Sequence, residues 1–385
     1  MNSSSAAARR VALRVGIPAV VIAALVAGAG TPAFASTSTQ VPVASAGFFG
    51  GFSGVDPVSA TDGWAVGGNG NGMVQRFNGT SWSIVPSPDI LDHSNPNNYA
   101  GLAGVDATSA TNALAVGTST SVSGPTSVAV ALRWNGSAWS RQSVPQPAGT
   151  TNNSFNGLKA LSASDAWAVG SSGTTFTGLS LAEHFNGVSW SAVPTPNPGT
   201  RENILTSVAG TASNDVWAVG YYRNLPYGNR IRLPLILHFD GSAWSQVPSP
   251  DSGPGQSTYL YGVAVTSATD AWAVGYGSGQ GAFVLHFNGS AWSLVSGPAL
   301  SSLSGVAARS ATDVWVCGSD SSGAAAMAHF NGTSWSTTPV TVTGGVGLPL
   351  LNAVAVVDPN TEWAVGSQWD GTTGQSSAIA FRITG

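Results

Sequence analysis

Apolar positions fall in short runs separated by Gly, Ser, Asn and Asp turns, and the same runs return from about residue 50 to the end of the chain. One recurring word is Trp64-Ala65-Val66-Gly67, repeated as Leu114 to Gly117, Trp167 to Gly170, Trp217 to Gly220, Trp272 to Gly275, Trp315 to Gly318 and Trp363 to Gly366. The copies start 50, 53, 50, 55, 43 and 48 residues apart. Behind each of the first six comes a second word, Phe77-Asn78-Gly79-Thr80-Ser81-Trp82 and its relatives ending at Trp139, Trp190, Trp244, Trp292 and Trp335. A period near fifty residues points to a propeller or an array rather than a string of unrelated domains.

Each unit reads as four short antiparallel strands. The first is Leu102-Ala103-Gly104-Val105 and its counterparts; after a tight turn such as Ser59 to Asp62 comes the Trp-Ala-Val-Gly strand. A third strand, for example Leu235 to Phe239, meets an Asn-Gly or Asp-Gly turn, a strong hairpin signal because type I′ turns need positive φ. Trp82 to Pro86 and its relatives form the fourth, and Pro86, Pro145, Pro194 and Pro248 blunt that outer edge. Strand alternation puts Trp and Val on one face of the second strand and Ala and Gly on the other, so a bulky face packs against a slim one in the next sheet. Twelve of the 14 tryptophans hold the Trp positions of the two words and read as core wedges, each burying roughly 150–250 Å².

The seventh unit stops at Gly385 without its turn or outer strand, while Ser38-Thr39-Gln40-Val41-Pro42 aligns with Trp82 to Pro86. The prediction is an all-β fold, a seven-bladed β-propeller of four-stranded antiparallel blades, its ring closed by the N-terminal strand. It occupies one domain, residues 36–385. Residues 1–35 read as a secretory signal: Arg9, Arg10 and Arg14 precede an apolar run from Val15 to Gly30 that ends in Ala33-Phe34-Ala35. That run is shorter than the roughly 20 residues a membrane span needs. Cleavage leaves a secreted, extracellular chain without stable membrane insertion, and no disulfide is available to the lone Cys317, which replaces Val66 or Val169 of other units.

Beyond residue 35 there are ten basic against 17 acidic residues, and Lys159 is the lone lysine. Such a balance leaves no electrostatic footprint for nucleic acid. Charged residues are 8% of the chain, which suits a neutral, hydroxyl-rich extracellular surface.

The Gly-x-x-Trp after a turn resembles the Asp-box hairpin of sialidase-like propellers, and the Trp-Ala-Val-Gly and Asn-Gly-x-x-Trp words are similar to tectonin-type lectin repeats. The Asp-box Asp is replaced by Asn78, Asn135 or Asn186. The resemblance implies a secreted bacterial repeat propeller, and neither motif carries chemistry.

His184, His238, His286 and His329 share one register of the third strand in four successive units. Neighbouring sheets lie about 10 Å apart and zinc needs nitrogens about 2.1 Å from the ion, so they cannot converge on a metal. His93 sits in a loop. Asp62, Asp165, Asp215, Asp270 and Asp313 are expected to hold the first turn through backbone N–H groups. The other carboxylates considered, Asp89, Asp92, Glu202, Asp251, Asp320 and Asp370, are scattered over five units, and no nucleophile–base constellation or cofactor motif appears.

Function is sought where the repeat breaks, because binding favours loops on a rigid scaffold. Six of seven tyrosines lie in units four and five, all on the variable face or its rim. Tyr221, Tyr222, Arg223, Tyr227, Arg230, Tyr259, Tyr261 and Tyr276 form the expected ligand site, with Trp369 as a rim candidate on unit seven. Aromatic faces beside Arg and hydroxyl groups suit sugars. The reading is a monomeric binding module for glycans or a cell-surface protein. A glycoside hydrolase or polysaccharide lyase with carboxylates at the central funnel stays open as an alternative, as does a protein-interaction scaffold.

Overall fold

The Trp-Ala-Val-Gly strand pairs on both sides in every unit. In unit four, Asp215–Arg223 lies antiparallel to Glu202–Ala212 before it and Leu233–Phe239 after it, and the latter pairs with Trp244–Gln246. The structure, a computed structural model, describes residues 36–45, 50–91, 98–121, 126–174, 177–224, 230–342, 347 and 349–384. Among these there are 28 strands and no helix. Units four, five and six are separate four-stranded sheets. The first three units merge into one twelve-stranded sheet through a few bridging pairs, Gly68 with Gly101, Gly70 with Ala100 and Ser127 with Asn152.

The sheet of unit seven contains Pro349–Asp358, Thr361–Asp370 and Gln375–Thr384, and its fourth strand is Thr37–Val41. Ser38 stands opposite Ile383, the place Trp82 takes opposite Phe77 in unit one. The segment continues beside unit one, where the Trp82 N–H donates to the Pro42 carbonyl at 2.9 Å and the Ala44 N–H to the Trp82 carbonyl at 3.1 Å. The first strand of each unit contacts that of the next, and Pro349–Asp358 contacts Gly51–Ser59.

Glycine at the end of the repeated word has a steric cause. Every first strand carries a bulge, as between Leu205 and Ser207, that presses a carbonyl onto the second strand. A Cβ on Gly220 would stand 1.9 Å from the Ile204 oxygen, and one on Gly67 would stand 1.8 Å from the Gly51 oxygen.

The tryptophans are wedges between successive sheets. Trp167 and Val169 of unit three share a buried cluster with Ala218, Leu237, Phe239 and Trp244 of unit four, and Trp363 of unit seven packs on Phe77 and Trp82 of unit one. Cys317 is buried in the same way, against Trp315 and Ile379. The hairpin between third and fourth strands differs from the expected form. Its central pair is Gly79 and Thr80; Gly79 has φ 96°, and Asn78 is the first corner, its Oδ1 accepting the N–H of Thr80 at 3.0 Å and of Ser81 at 2.9 Å.

Candidate functional site

Four of the predicted tyrosines converge. Tyr259 opens the first strand of unit five, Thr258–Ser267, and pairs across the sheet with Tyr276. Its ring lies 5.0 Å from that of Tyr221, 6.0 Å from Tyr261 and 6.3 Å from Tyr276. Arg232 ties the group together: Nη1 donates to the Tyr259 hydroxyl at 3.1 Å, Nε to Glu202 at 3.1 Å and Nη2 to Glu202 at 3.4 Å. Its guanidinium carbon is 5.5 Å from the Tyr259 ring centre and 5.9 Å from that of Tyr221. Arg223 reaches the same carboxylate at 3.2 Å. Two guanidiniums on one carboxylate leave the cluster cationic. Burial pushes the Tyr261 phenol up to about 12, with Tyr221 and Tyr259 adding to it, and raises Tyr221, helped by Glu202. The Tyr221 and Tyr261 hydroxyls therefore act as neutral donors and acceptors.

The remaining predicted residues are placed differently. Tyr222 points away from this group, packing beside the Trp167 cluster and lining a recess with Asp251 and Pro248. Strand alternation is the reason: neighbours along Asp215–Arg223 face opposite sides. Arg230 is exposed, and Trp369, 49% exposed, pairs with Ser376 in unit seven. Tyr227, Asp92 and His93 lie outside the described residues. Arg232 and Glu202 belong to the cluster although the sequence reading did not choose them as ligand residues; each is off the repeat pattern on the variable face, and that was the available signal.

Tyr261 also borders a cavity of about 480 Å³ lined by the first strands of all units. It is the bulge residue of its strand. At the same register Asn156 donates to the Leu205 carbonyl at 2.8 Å, Thr206 to Leu260 at 2.8 Å, Ser304 to Leu351, and Asn352 to Phe52 at 2.7 Å. Each bond joins one unit to the next. Tyr261 puts a phenol ring where a short belt donor would sit, and it is 36% exposed.

Deeper in the cavity wall is a group the sequence reading missed. Asp56, Asp106 and Lys159 occupy one register of units one, two and three, opposite Trp64, Leu114 and Trp167; the other units have Ala209, Ala264, Ala307 and Ala355 there. Lys159 Nζ meets Asp106 at 2.8 Å, and the Ala107 N–H donates to Asp56 at 2.8 Å. Burial, then the nearby Asp106, pushes the Asp56 carboxyl well above its ordinary range; burial also raises Asp106 against the pull of Lys159. A register alignment would have exposed this departure from alanine.

The other predicted groups are structural. His184, His238, His286 and His329 each bond through Nε2 to the first-turn Asp of their own unit, at 2.8, 2.9, 2.7 and 2.9 Å. Each ring also lies 4.3 to 4.8 Å from its own Trp. This corrects the expectation that those Asp side chains cap the turn: Ser hydroxyls do so, as Ser59 does for the Thr61 N–H at 3.3 Å. Asp89, Asp251, Asp320 and Asp370 accept nearby backbone N–H groups at 2.8 to 2.9 Å. They build loops.

No protein-family model matches the chain, and no curated protein matches it. Solved structures do. The chain is similar to YCF48 bound to D1 peptide, with a TM-score of 0.56 and 15% identity over 91% of this chain and 97% of that one. It is similar to the GH74 xyloglucanase from Xanthomonas campestris, with a TM-score of 0.51 and 12% identity over 89% of this chain and 55% of that one. A third is polysaccharide lyase Uly1, with a TM-score of 0.51 and 10% identity over 87% of this chain and 90% of that one. At these identities the likeness concerns the fold: this is an all-β propeller repeat protein. Among the described residues no helix is long and apolar enough to cross a membrane.

Proposed function

We propose that the chain is a secreted seven-bladed β-propeller, closed by Thr37–Val41, that binds glycans or a cell-surface partner on its variable face. The observation that carries this reading is the Tyr221, Tyr259, Tyr261 and Tyr276 cluster with Arg232 and Glu202. Sugar C–H faces lie on aromatic rings, while Arg, carboxylate and phenol groups take the hydroxyls. Closure is supported by the pairing of Thr37–Val41 with Gln375–Thr384 and by the Asn352 bond to Phe52. Export rests on the Arg-led apolar segment within residues 1–35. The similarity to a propeller bound to a peptide keeps a protein partner within the proposal.

A second reading is favoured by Asp56 and Asp106. A carboxyl pushed up by burial beside a second one paired with a lysine is an arrangement a hydrolase or lyase can use for acid and base roles, and the pair borders the central cavity. A glycan array run beside turnover assays on soluble polysaccharides separates the two. Binding without turnover supports the module. Turnover abolished by Asp56→Asn, with binding retained by a Tyr259→Ala variant, replaces it with the enzyme.

A further inference from the structure

The wedge between units five and six is looser than its equivalents. Trp272 lies 6.4 Å from Trp335, whereas Trp64–Trp139, Trp82–Trp363, Trp167–Trp244 and Trp217–Trp292 stand 5.0, 5.2, 5.2 and 5.3 Å apart. Its distance to Phe330 is 5.5 Å, against 4.6 Å for Trp167–Phe239 and 4.7 Å for Trp217–Phe287. The outer-strand tryptophans Trp82, Trp139, Trp190, Trp244 and Trp292 are buried, while Trp335 and Phe330 are half-buried.

The connection after the outer strand of unit five explains this. Val295 is followed by Ser296-Gly297, where Val85, Val144, Val193 and Val247 are each followed by Pro. Trp335 Nε1 donates to the Ser296 carbonyl at 2.8 Å, while the indole N–H groups of Trp139, Trp190, Trp244 and Trp292 have no partner. The indole leans toward that carbonyl and away from Trp272. A cavity of about 630 Å³ opens between the sheets, walled by Trp272, Phe330 and Trp335 and edged by Ser296, Thr333 and Ser334. That is within the roughly 300–1,000 Å³ of small-ligand sites.

None of the described lining residues is Asp, Glu, Lys or Arg, and the Nε2 of the lining His286 is committed to Asp270. The walls are aromatic and the edge carries hydroxyl and backbone groups, so a charged ligand would find no counter-ion. We infer that this cavity binds a single neutral pyranose ring, its C–H face on the half-buried Trp335 with Trp272 at the cavity floor, and its hydroxyls at the Ser296, Thr333 and Ser334 edge. The site shares no residue with the tyrosine cluster and does not rest on it.

The test is saturation-transfer NMR on the full chain with the methyl glycosides of glucose, galactose and mannose, and with glucuronate as the charged comparator, each at up to about 10 mM. At least one neutral glycoside should show transfer, and none stronger should come from glucuronate. Ala299→Trp, at an exposed lining position, fills the cavity without touching the wedge and should weaken that signal at least roughly tenfold, as should Trp335→Ala. The variants are compared in a Tyr259→Ala background, so that binding at the tyrosine cluster does not contribute to the signal. In that background, no transfer from any neutral glycoside, or transfer surviving Ala299→Trp, overturns the inference. If Trp335→Ala unfolds the chain, Ala299→Trp decides alone.

Discussion

The Asn352 side-chain amide donates to the carbonyl of Phe52 at 2.7 Å across 300 positions of sequence. It joins unit seven to unit one by the same geometry that joins units three and four through Asn156. Asn352→Ala leaves that carbonyl without its donor and is expected to cost about 1–3 kcal/mol. Deleting residues 36–44 removes the strand opposite Gln375–Thr384 and the bonds to Trp82, so its melting temperature should fall further than that of Asn352→Ala. Scanning fluorimetry of the two variants checks the order; a deletion as stable as the parent chain would mean that the fold does not need its N-terminal strand.

Tyr222 and Tyr259 separate packing from binding. Tyr259 touches three other tyrosines and Arg232, whereas Tyr222 packs beside the Trp167 cluster. For a ligand found on the array, Tyr259→Ala should weaken affinity at least roughly tenfold with a small change in melting temperature. Tyr222→Ala should do the reverse. Titration calorimetry with thermal melts distinguishes them, and equal affinity losses would move the site toward the Tyr222 recess.

Lys159 compensates a buried charge. Asp106 is 7% exposed and bonded to Lys159 at 2.8 Å. Lys159→Met strands that carboxylate; because Lys159 itself stays partly exposed, a loss of about 1–3 kcal/mol is expected, below that of a fully buried pair. Replacing Asp106 by Ala as well, the residue of units four to seven at this register, should recover much of the loss. Urea denaturation of the two single variants and the double variant measures the coupling, and additive effects would mean the pair acts separately.

The repeat words made the strand order legible because each registers a backbone requirement: Gly67 yields to a carbonyl, Asn78 corners a turn and Trp167 wedges two sheets. The same logic placed Ser38 opposite Ile383. The site was legible in part. Tyrosine enrichment located Tyr221, Tyr259, Tyr261 and Tyr276, but alternation along one strand sends Tyr222 to the other side, and counting residues does not see alternation. Asp56, Asp106 and Lys159 escaped because they stand 50 and 53 residues apart and become a group only across three adjacent strands. The opening beside Trp335 is set by about one ångström of packing, 6.4 Å between Trp272 and Trp335 against 5.3 Å between Trp217 and Trp292, which no residue type declares.

Glu183 supplies the last prediction. It is fully buried at a register where other units have Leu132, Leu237 and Leu285, and neither carboxyl oxygen has a partner. Burial pushes its pKa up to about 8 from an ordinary 4.5. The folded chain therefore keeps a proton that the unfolded chain releases. Below about pH 4.5 both states are protonated and the carboxyl's pH-linked contribution is whole; as pH rises toward 8 the unfolded state alone gains by ionising, so stability falls through this window and the loss is complete above it. Glu183→Leu, close in volume, should flatten that slope and stabilise the fold near neutral pH by about 1–3 kcal/mol, the usual cost of an unsatisfied buried polar group. Glu183→Gln should flatten the slope without the gain, because its amide stays unpaired. Thermal melts of the parent and both variants across the window read the difference directly. Parallel slopes for parent and Glu183→Leu would mean the carboxyl ionises in place with a partner, and the buried-acid account would fall.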